Sequence, residues 1–207
     1  IVCVMSGNFT QRGEPAVADK YVRAAAALRS GADLVVELPM PYSASGAEFF
    51  AAAGVYIADR MGVSELYFGS ENGDISALSK AARNMLDTRF AAASHDKSGG
   101  YAKSASELYA SLFGENEVAS SPNNILALEY IKAIMRLGST VTPVTLARED
   151  NFSSEDADCD FPSATALRKL ITAGDFSAAA RFMGEKAARE YEKAARDDSF
   201  PVRTEKY

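Results

Sequence analysis

"IVCVMSGNFTQRGEPAVADKYVRAAAALRSGADLVVELP", residues 1–39, reads as strand, polar loop, helix and strand. Ile1–Met5 is an unbroken apolar run that stops at Ser6-Gly7-Asn8. The loop after it carries Gln11, Arg12 and Gly13 and closes at Glu14-Pro15. Asp19–Ser30 is an alanine-rich helical stretch that Gly31 ends. The next apolar strand runs to Leu38 and stops at Pro39. Two apolar strands joined through a helix make a parallel pair, since parallel neighbours require a crossover. A strand that opens into a glycine, amides and an arginine, where a tight turn would suffice, suits an anion at its end.

The pattern continues along the chain. Over Gly46–Met61 the helical period places Phe49, Phe50, Ala53, Ile57 and Met61 on one face, and Gly62 ends the helix. Glu65–Phe68 is a short strand that gives way to "GSENGD". Helices follow over about 75–93, 104–113 and 123–137. "TVTPVTLA" is a further strand whose Pro143 marks an edge or an irregularity. The acidic loop "REDNFSSEDADCDF" leads to helices over about 163–173, 176–183 and 185–197. This order is that of an α/β protein with a parallel sheet, flanking helices and a C-terminal helical segment. Ligands of such folds bind outside the carboxyl ends of the strands. The polar strand ends at Ser6-Gly7, at Gly69-Ser70-Glu71-Asn72 and at Arg148 are therefore the candidates for a site.

The 207 residues are 47% apolar and 24% charged, as in ordinary globular proteins, and fit one domain or one domain with an appendage. No run of eighteen apolar residues occurs, so no spanning helix and no membrane partner is expected. The two cysteines, Cys3 and Cys159, are far apart and the only histidine is His95. That composition excludes a disulfide framework, argues against structural zinc and places the chain in a reduced cytoplasmic compartment. A net charge of -6 argues against broad, nonspecific nucleic-acid binding while leaving room for a local basic site.

Several motifs are missing. There is no Gly-x-x-x-x-Gly-Lys-Ser/Thr loop, no Gly-x-Gly-x-x-Gly and no Gly-x-Ser-x-Gly, which removes the usual kinase, GTPase, dinucleotide and hydrolase readings. In "SPNNILALEYIKAIMRLG", Asn123 or Asn124 caps a helix, or one caps while the other reads a base or ribose. In "FPSATALRKLI", Ser163 is an N-cap, Thr165 lies in the first turn and Arg168 one turn on, while Leu167, Leu170 and Ile171 can face a core. Such a helix start can hold an anion; a cap beside a solvated arginine is the plainer reading. Lys20 and Arg23 share a helix face and with Arg12 could gather positive charge at the first strand end, although a solvated face is the usual account. Glu155, Asp156, Asp158 and Asp160 read as a solvated acidic loop, and no metal ligand is assigned. The last helices interleave Glu185, Lys186, Arg189, Glu190, Glu192, Lys193 and Arg196 as an exposed, salt-bridged face.

Taken in order, "VMSGNFTQRGEPAVADKYVRAAAAL", "GADLVVELP", "GAEFF", "FGSENGD", "PNNILALEY", "TPVTLAR" and "SATALRK" resemble one family, the tRNA-Met cytidine acetate ligases. The resemblance runs from Ile1 to about the last residue. It implies the Rossmann-like nucleotidyltransferase fold, related to the adenylating synthetases with a His-x-Gly-His signature. The implied activity is an AMP-forming, carbon–nitrogen ligase reaction with ATP and Mg2+ in the cytoplasm. Acetate becomes acetyl-adenylate, and the acetyl group passes to N4 of the wobble cytidine of elongator tRNA-Met. By the same resemblance Gly69, Asn123 and Arg148 contact ATP, and Ser163, Thr165 and Arg168 form a phosphate-binding helix start. Ser6, Gly7, Gln11, Arg12, Lys20, Arg23 and Asn124 are candidates for the substrate loop.

The family's first strand and its "NPFHNGH" block would lie before Ile1, so no catalytic residue is assigned within this chain. Its Tyr-His-Asp, ahead of the "SAT" block, is here replaced by the acidic stretch Asp150 to Phe161. A region that holds tRNA would follow Tyr207. The implied organisation is a nucleotidyltransferase-like ATP-binding domain over 1–173 and a helical extension over 174–207. The same fold also serves small-molecule adenylyltransferases and a non-catalytic nucleotide- or RNA-binding remnant.

Overall fold

The computed structural model describes residues 1–87, 101–113, 121–147 and 163–197. Along the chain it forms β1 (Val2–Ser6), α1 (Lys20–Arg29), β2 (Leu34–Leu38), a short 3-10 turn (Tyr42–Ala44), α2 (Ala47–Arg60) and β3 (Glu65–Ser70). There follow α3 (Ile75–Met85), α4 (Tyr101–Phe113), α5 (Pro122–Leu137), β4 (Thr142–Ala147), α6 (Ala164–Thr172), α7 (Phe176–Met183) and α8 (Glu185–Arg196). Two units result. One is continuous, Gly46–Glu149, and the other joins Ile1–Ser45 to Asp150–Tyr207.

In the discontinuous unit the crossover read from residues 1–39 is present. β1 and β2 pair in parallel, from Val2 opposite Leu34 to Ser6 opposite Leu38. α1 joins them. Asp19 caps it by accepting the N–H groups of Tyr21 and Val22 at 2.7 and 2.9 Å, a cap worth about 1 kcal/mol. α1 packs on α8 through a core built largely of alanine, with Ala18, Ala26, Ala179 and Ala187 around Ile171 and Tyr191. Small side chains let the helix axes approach, and the one tyrosine fills what remains.

In the continuous unit β3 and β4 are parallel, in register from Glu65 opposite Thr142 to Ser70 opposite Ala147. β3 runs past Phe68 to include Gly69 and Ser70. Among the described strands β4 pairs with β3 alone, the edge position that Pro143 tolerates. Leu66 and Phe68 point into a core with Leu78, Leu128 and Ile131, each contributing roughly 1.5–3 kcal/mol by burial. Tyr67 and Gly69 alternate to the other face, beside Leu146. There Tyr67 is 59% and Leu146 60% exposed.

Two readings need correction. The buried stripe of α2 is Ala51, Val55 and Ala58, whereas Phe49 is 62% and Met61 43% exposed. α2 lies against α5, where a Cβ on Gly54 would stand 3.8 Å from the Tyr130 ring. Ala52 and Val55 meet Ala133, Ile134 and Tyr130 there, so the inward face is made mostly of small side chains that a pattern of large apolar residues does not mark. α3 stops at Met85, where the N–H of Leu86 closes the last turn; residues 88–93 of the longer helix read from sequence lie outside the described residues.

Candidate functional site

The carboxyl end of β3 is fastened on both sides. Ser70 Oγ lies 2.6 Å from Thr145 Oγ1 of β4 and accepts the N–H of Gly73 at 3.0 Å. Gly73 has φ 67°, and a Cβ there would stand 2.7 Å from the Cβ of Ala147, so only glycine fits this turn. Glu71 reaches the start of α5. Its Oε1 accepts the backbone N–H of Asn123 at 3.1 Å and the side-chain Nδ2 of Asn123 at 2.9 Å. Its Oε2 accepts the N–H of Asn124 at 2.8 Å. A carboxylate here satisfies orphan N–H groups and complements the helix dipole.

Neither asparagine is therefore the cap that the sequence suggests. Ser121 occupies the N-cap position without a side-chain bond, and Pro122 opens the helix. Proline suits that position because its missing N–H would have no partner there. Glu71, from a loop 52 positions earlier, does the capping. Asn124 is buried, and its Oδ1 accepts the N–H of Asn72 at 3.1 Å.

In the discontinuous unit the loop after β1 is a folded structure. Phe9 bridges Pro15, the N–H of Thr10 reaches the carbonyl of Glu14 at 2.8 Å, and Gln11 and Arg12 form the tip. The loop is held to α1 by Asn8, whose Oδ1 accepts the N–H of Lys20 at 2.8 Å. Arg23 is half-buried. Its guanidinium donates to the carbonyl of Ala18 at 3.1 Å, to that of Ser6 at 2.9 Å and to that of Gly7. Burial pulls its pKa below the usual arginine value, and Tyr191, Asp19 and Glu37 oppose that. Arginine stays charged regardless.

Lys20 Nζ pairs with Glu37 Oε2 at 2.7 Å, and this hydrogen bond raises the lysine pKa. The positive cluster read from sequence is thus largely committed. Arg23 clasps backbone, Lys20 faces a carboxylate, and Arg12 stands exposed at the loop tip. The solvated-face account fails for Arg23, because a guanidinium with three carbonyl acceptors is held in place.

At α6 the sequence expectation of a cap holds. Ser163 is buried and its Oγ accepts the N–H of Ala166 at 3.1 Å. Thr165 is half-buried and Arg168 exposed, while Ala166 and Ile171 turn inward. Arg148, His95, Cys159 and the acidic loop through Phe161 lie outside the described residues. Among the described residues no three His, Cys, Asp or Glu side chains gather as metal ligands, and no helix is long and apolar enough to cross a membrane. A groove between α7 and α8, lined by Asp175, Phe176, Arg181, Glu185, Arg189 and Glu192, holds none of the candidates.

Glu71 and Glu37 organise these two loci; the sequence placed Glu71 in a candidate strand end without a partner and gave Glu37 no role. Their partners are distant along the chain or backbone groups, so no spacing rule could reveal them.

Parallel strand pairs crossed by helices, with fastened polar loops at the carboxyl ends of the strands, make this an α/β protein. The chain belongs to the HIGH Nucleotidyl Transferase family, whose family model matches residues 1–207. It is 40% identical over 182 residues to the tRNA(Met) cytidine acetate ligase of Clostridium novyi (strain NT), covering 83% of this chain and 46% of that one. It is 36% identical over 212 residues to the ligase of the same name from Caldanaerobacter subterraneus subsp. tengcongensis, covering 98% of this chain and 53% of that one. The solved structure of Thermotoga maritima TmcAL bound with alpha-thio ATP superposes with a TM-score of 0.81 at 33% identity, over 97% of this chain and 50% of that one. The chain thus spans about half the length of the relatives it matches.

Proposed function

We propose that this chain forms the ATP-using part of a tRNA(Met) cytidine acetate ligase. The likeness along 97% of the chain to a protein solved with alpha-thio ATP, at 33% identity, carries the reading. In the proposed reaction an acetate oxygen attacks the α-phosphorus of ATP. The bond to the β-phosphate breaks, pyrophosphate leaves, and acetyl-adenylate forms. N4 of the tRNA cytidine then attacks the acetyl carbon, the carbon–oxygen bond to AMP breaks, and N4 gives up a proton. Such chemistry asks the protein mainly for positioning and charge stabilisation.

In this reading Gly69 leaves room for the nucleoside and Asn123 bonds to it. Ser163, Thr165 and Arg168 meet phosphate at the start of α6. Arg148 is a further nucleotide contact by resemblance, and the β1 loop through Gln11 and Arg12 faces substrate. Mg2+ would arrive on the ATP phosphates, as it does in many phosphate-transferring sites. The test is exchange of labelled pyrophosphate into ATP by the protein carrying the family's His-x-Gly-His block ahead of residue 1, with and without acetate, followed by transfer of labelled acetate to elongator tRNA-Met. Acetate-dependent exchange is expected. ATP binding with exchange that ignores acetate would overturn the ligase reading.

A further inference from the structure

We propose that Glu71 is a positioning residue of the nucleotide site, holding the Asn123 amide so that it offers an acceptor to a hydrogen-bond donor on the nucleoside. This rests on the nucleotide-binding reading above. An ionised carboxylate has no proton to give, so the Asn123 atom that faces Glu71 Oε1 at 2.9 Å is the amino Nδ2. The amide is planar, and its carbonyl Oδ1 must then point away from Glu71. The orientation is braced twice more, by the N–H of Asn123 on the same oxygen at 3.1 Å and the N–H of Asn124 on the other at 2.8 Å. Among the described residues nothing donates to Asn123 Oδ1. Asn124 is the contrast: it is buried, and its Oδ1 is already taken by the N–H of Asn72. The adjacent asparagines therefore divide their work, one fixing the loop after β3 and one presenting an acceptor that is open among the described residues, at the start of α5 beside the carboxyl end of β3, where ligands of such folds bind.

Adenosine offers donors at its 6-amino group and its ribose hydroxyls. Inosine replaces the amino group with a carbonyl, which would meet Oδ1 acceptor to acceptor. Isothermal titration of the 207-residue protein with ATP, ITP, 2′-dATP and 3′-dATP separates the two sources. The analogue lacking the relevant donor is expected to bind about tenfold more weakly than ATP. Glu71→Gln, whose amide can itself donate, lets Asn123 turn over and is expected to shrink that gap to about twofold. Asn123→Ala, which leaves the backbone bonds to Glu71 in place, is expected to do the same.

A Glu71 with only a structural role would lower the Tm and weaken all four nucleotides alike, leaving their ratios unchanged, and that overturns the proposal. If Glu71→Gln does not fold, the Asn123→Ala titration and side-chain amide NMR of the wild type decide. Nδ2 protons shielded from exchange before nucleotide is added support the clasp, and unshielded ones refute it. Wild type that binds none of the nucleotides would fail the nucleotide reading itself. Binding of ATP with no gap for any analogue, or a gap that survives both substitutions, would fail only the role given to Glu71 and Asn123.

Discussion

A Cβ atom on Gly7 would stand 2.3 Å from Oε1 of Glu37, so Glu37 keeps its place beside Lys20 only because position 7 has no side chain. The obstacle is the tip of a flexible residue whose side chain is 46% exposed. Gly7→Ala should therefore fold, with Glu37 swinging aside and releasing Lys20. The expected cost is about 1 kcal/mol or less, the scale of an exposed ion pair. In a Glu37→Ala background the same substitution should cost almost nothing. Urea unfolding of the four proteins of this cycle measures the coupling. Equal costs in both backgrounds would show that Glu37 is not what restricts position 7.

Arg23 spans three carbonyls that a lysine could not reach together. Arg23→Lys should lose roughly 1.5–3 kcal/mol, the worth of charged hydrogen bonds, as a lower urea midpoint. A lysine variant as stable as wild type would show that the guanidinium is not a structural tie.

Tyr130 packs on Phe68 with ring centroids 5.5 Å apart, and burial pushes its pKa up to about 12. An unfolded tyrosine ionises near pH 10. The folded-state pKa is raised, so this contribution to stability is whole below about pH 10 and is lost as pH rises through 12. The Tm should fall across that window in wild type and fall less in Tyr130→Phe. Identical profiles would mean that other groups govern alkaline unfolding.

Two substitutions should separate the nucleoside from the phosphates. Gly69→Val sits in β3, where valine is a good strand former, so the fold should survive while ATP binding is lost. Arg168→Ala removes an exposed charge beside the helix start at Ser163. It should weaken ATP by about one to two decades and leave adenosine unchanged. Calorimetry showing normal ATP binding by Gly69→Val would remove Gly69 from the site. Equal losses for ATP and adenosine, or none, would remove Arg168 from the phosphates.

The elements were legible where local chemistry decides them. Asp19 and Ser163 announce helix starts because a cap acts within three residues. Ile1–Met5 and Leu34–Leu38 announce parallel strands because both lack polar alternation. The site was less legible. "PNN" invites a capping assignment, yet the cap is Glu71, and the pairing depends on a turn that brings β3 to α5. Arg23 looks like any cation on a helix face until the carbonyls of the β1 loop close over it. The face of α2 misled for a related reason: periodicity finds large apolar residues, while the buried face is Ala51, Val55 and Ala58.

The discontinuous unit has a consequence for how the polypeptide is made. Residues Ile1–Ser45 leave the ribosome before any of Gly46–Glu149, yet the helix that α1 packs against begins only at Glu185. The continuous unit has both of its described strands once Ala147 is synthesised and can close at that point, as domains do during synthesis. β1, α1 and β2 must meanwhile wait, their alanine-lined face without Tyr191 and Ala187 to cover it. Within these residues the earlier segment is completed by the later one, and the end of β1, with its loop, takes its final packing only after α8 emerges.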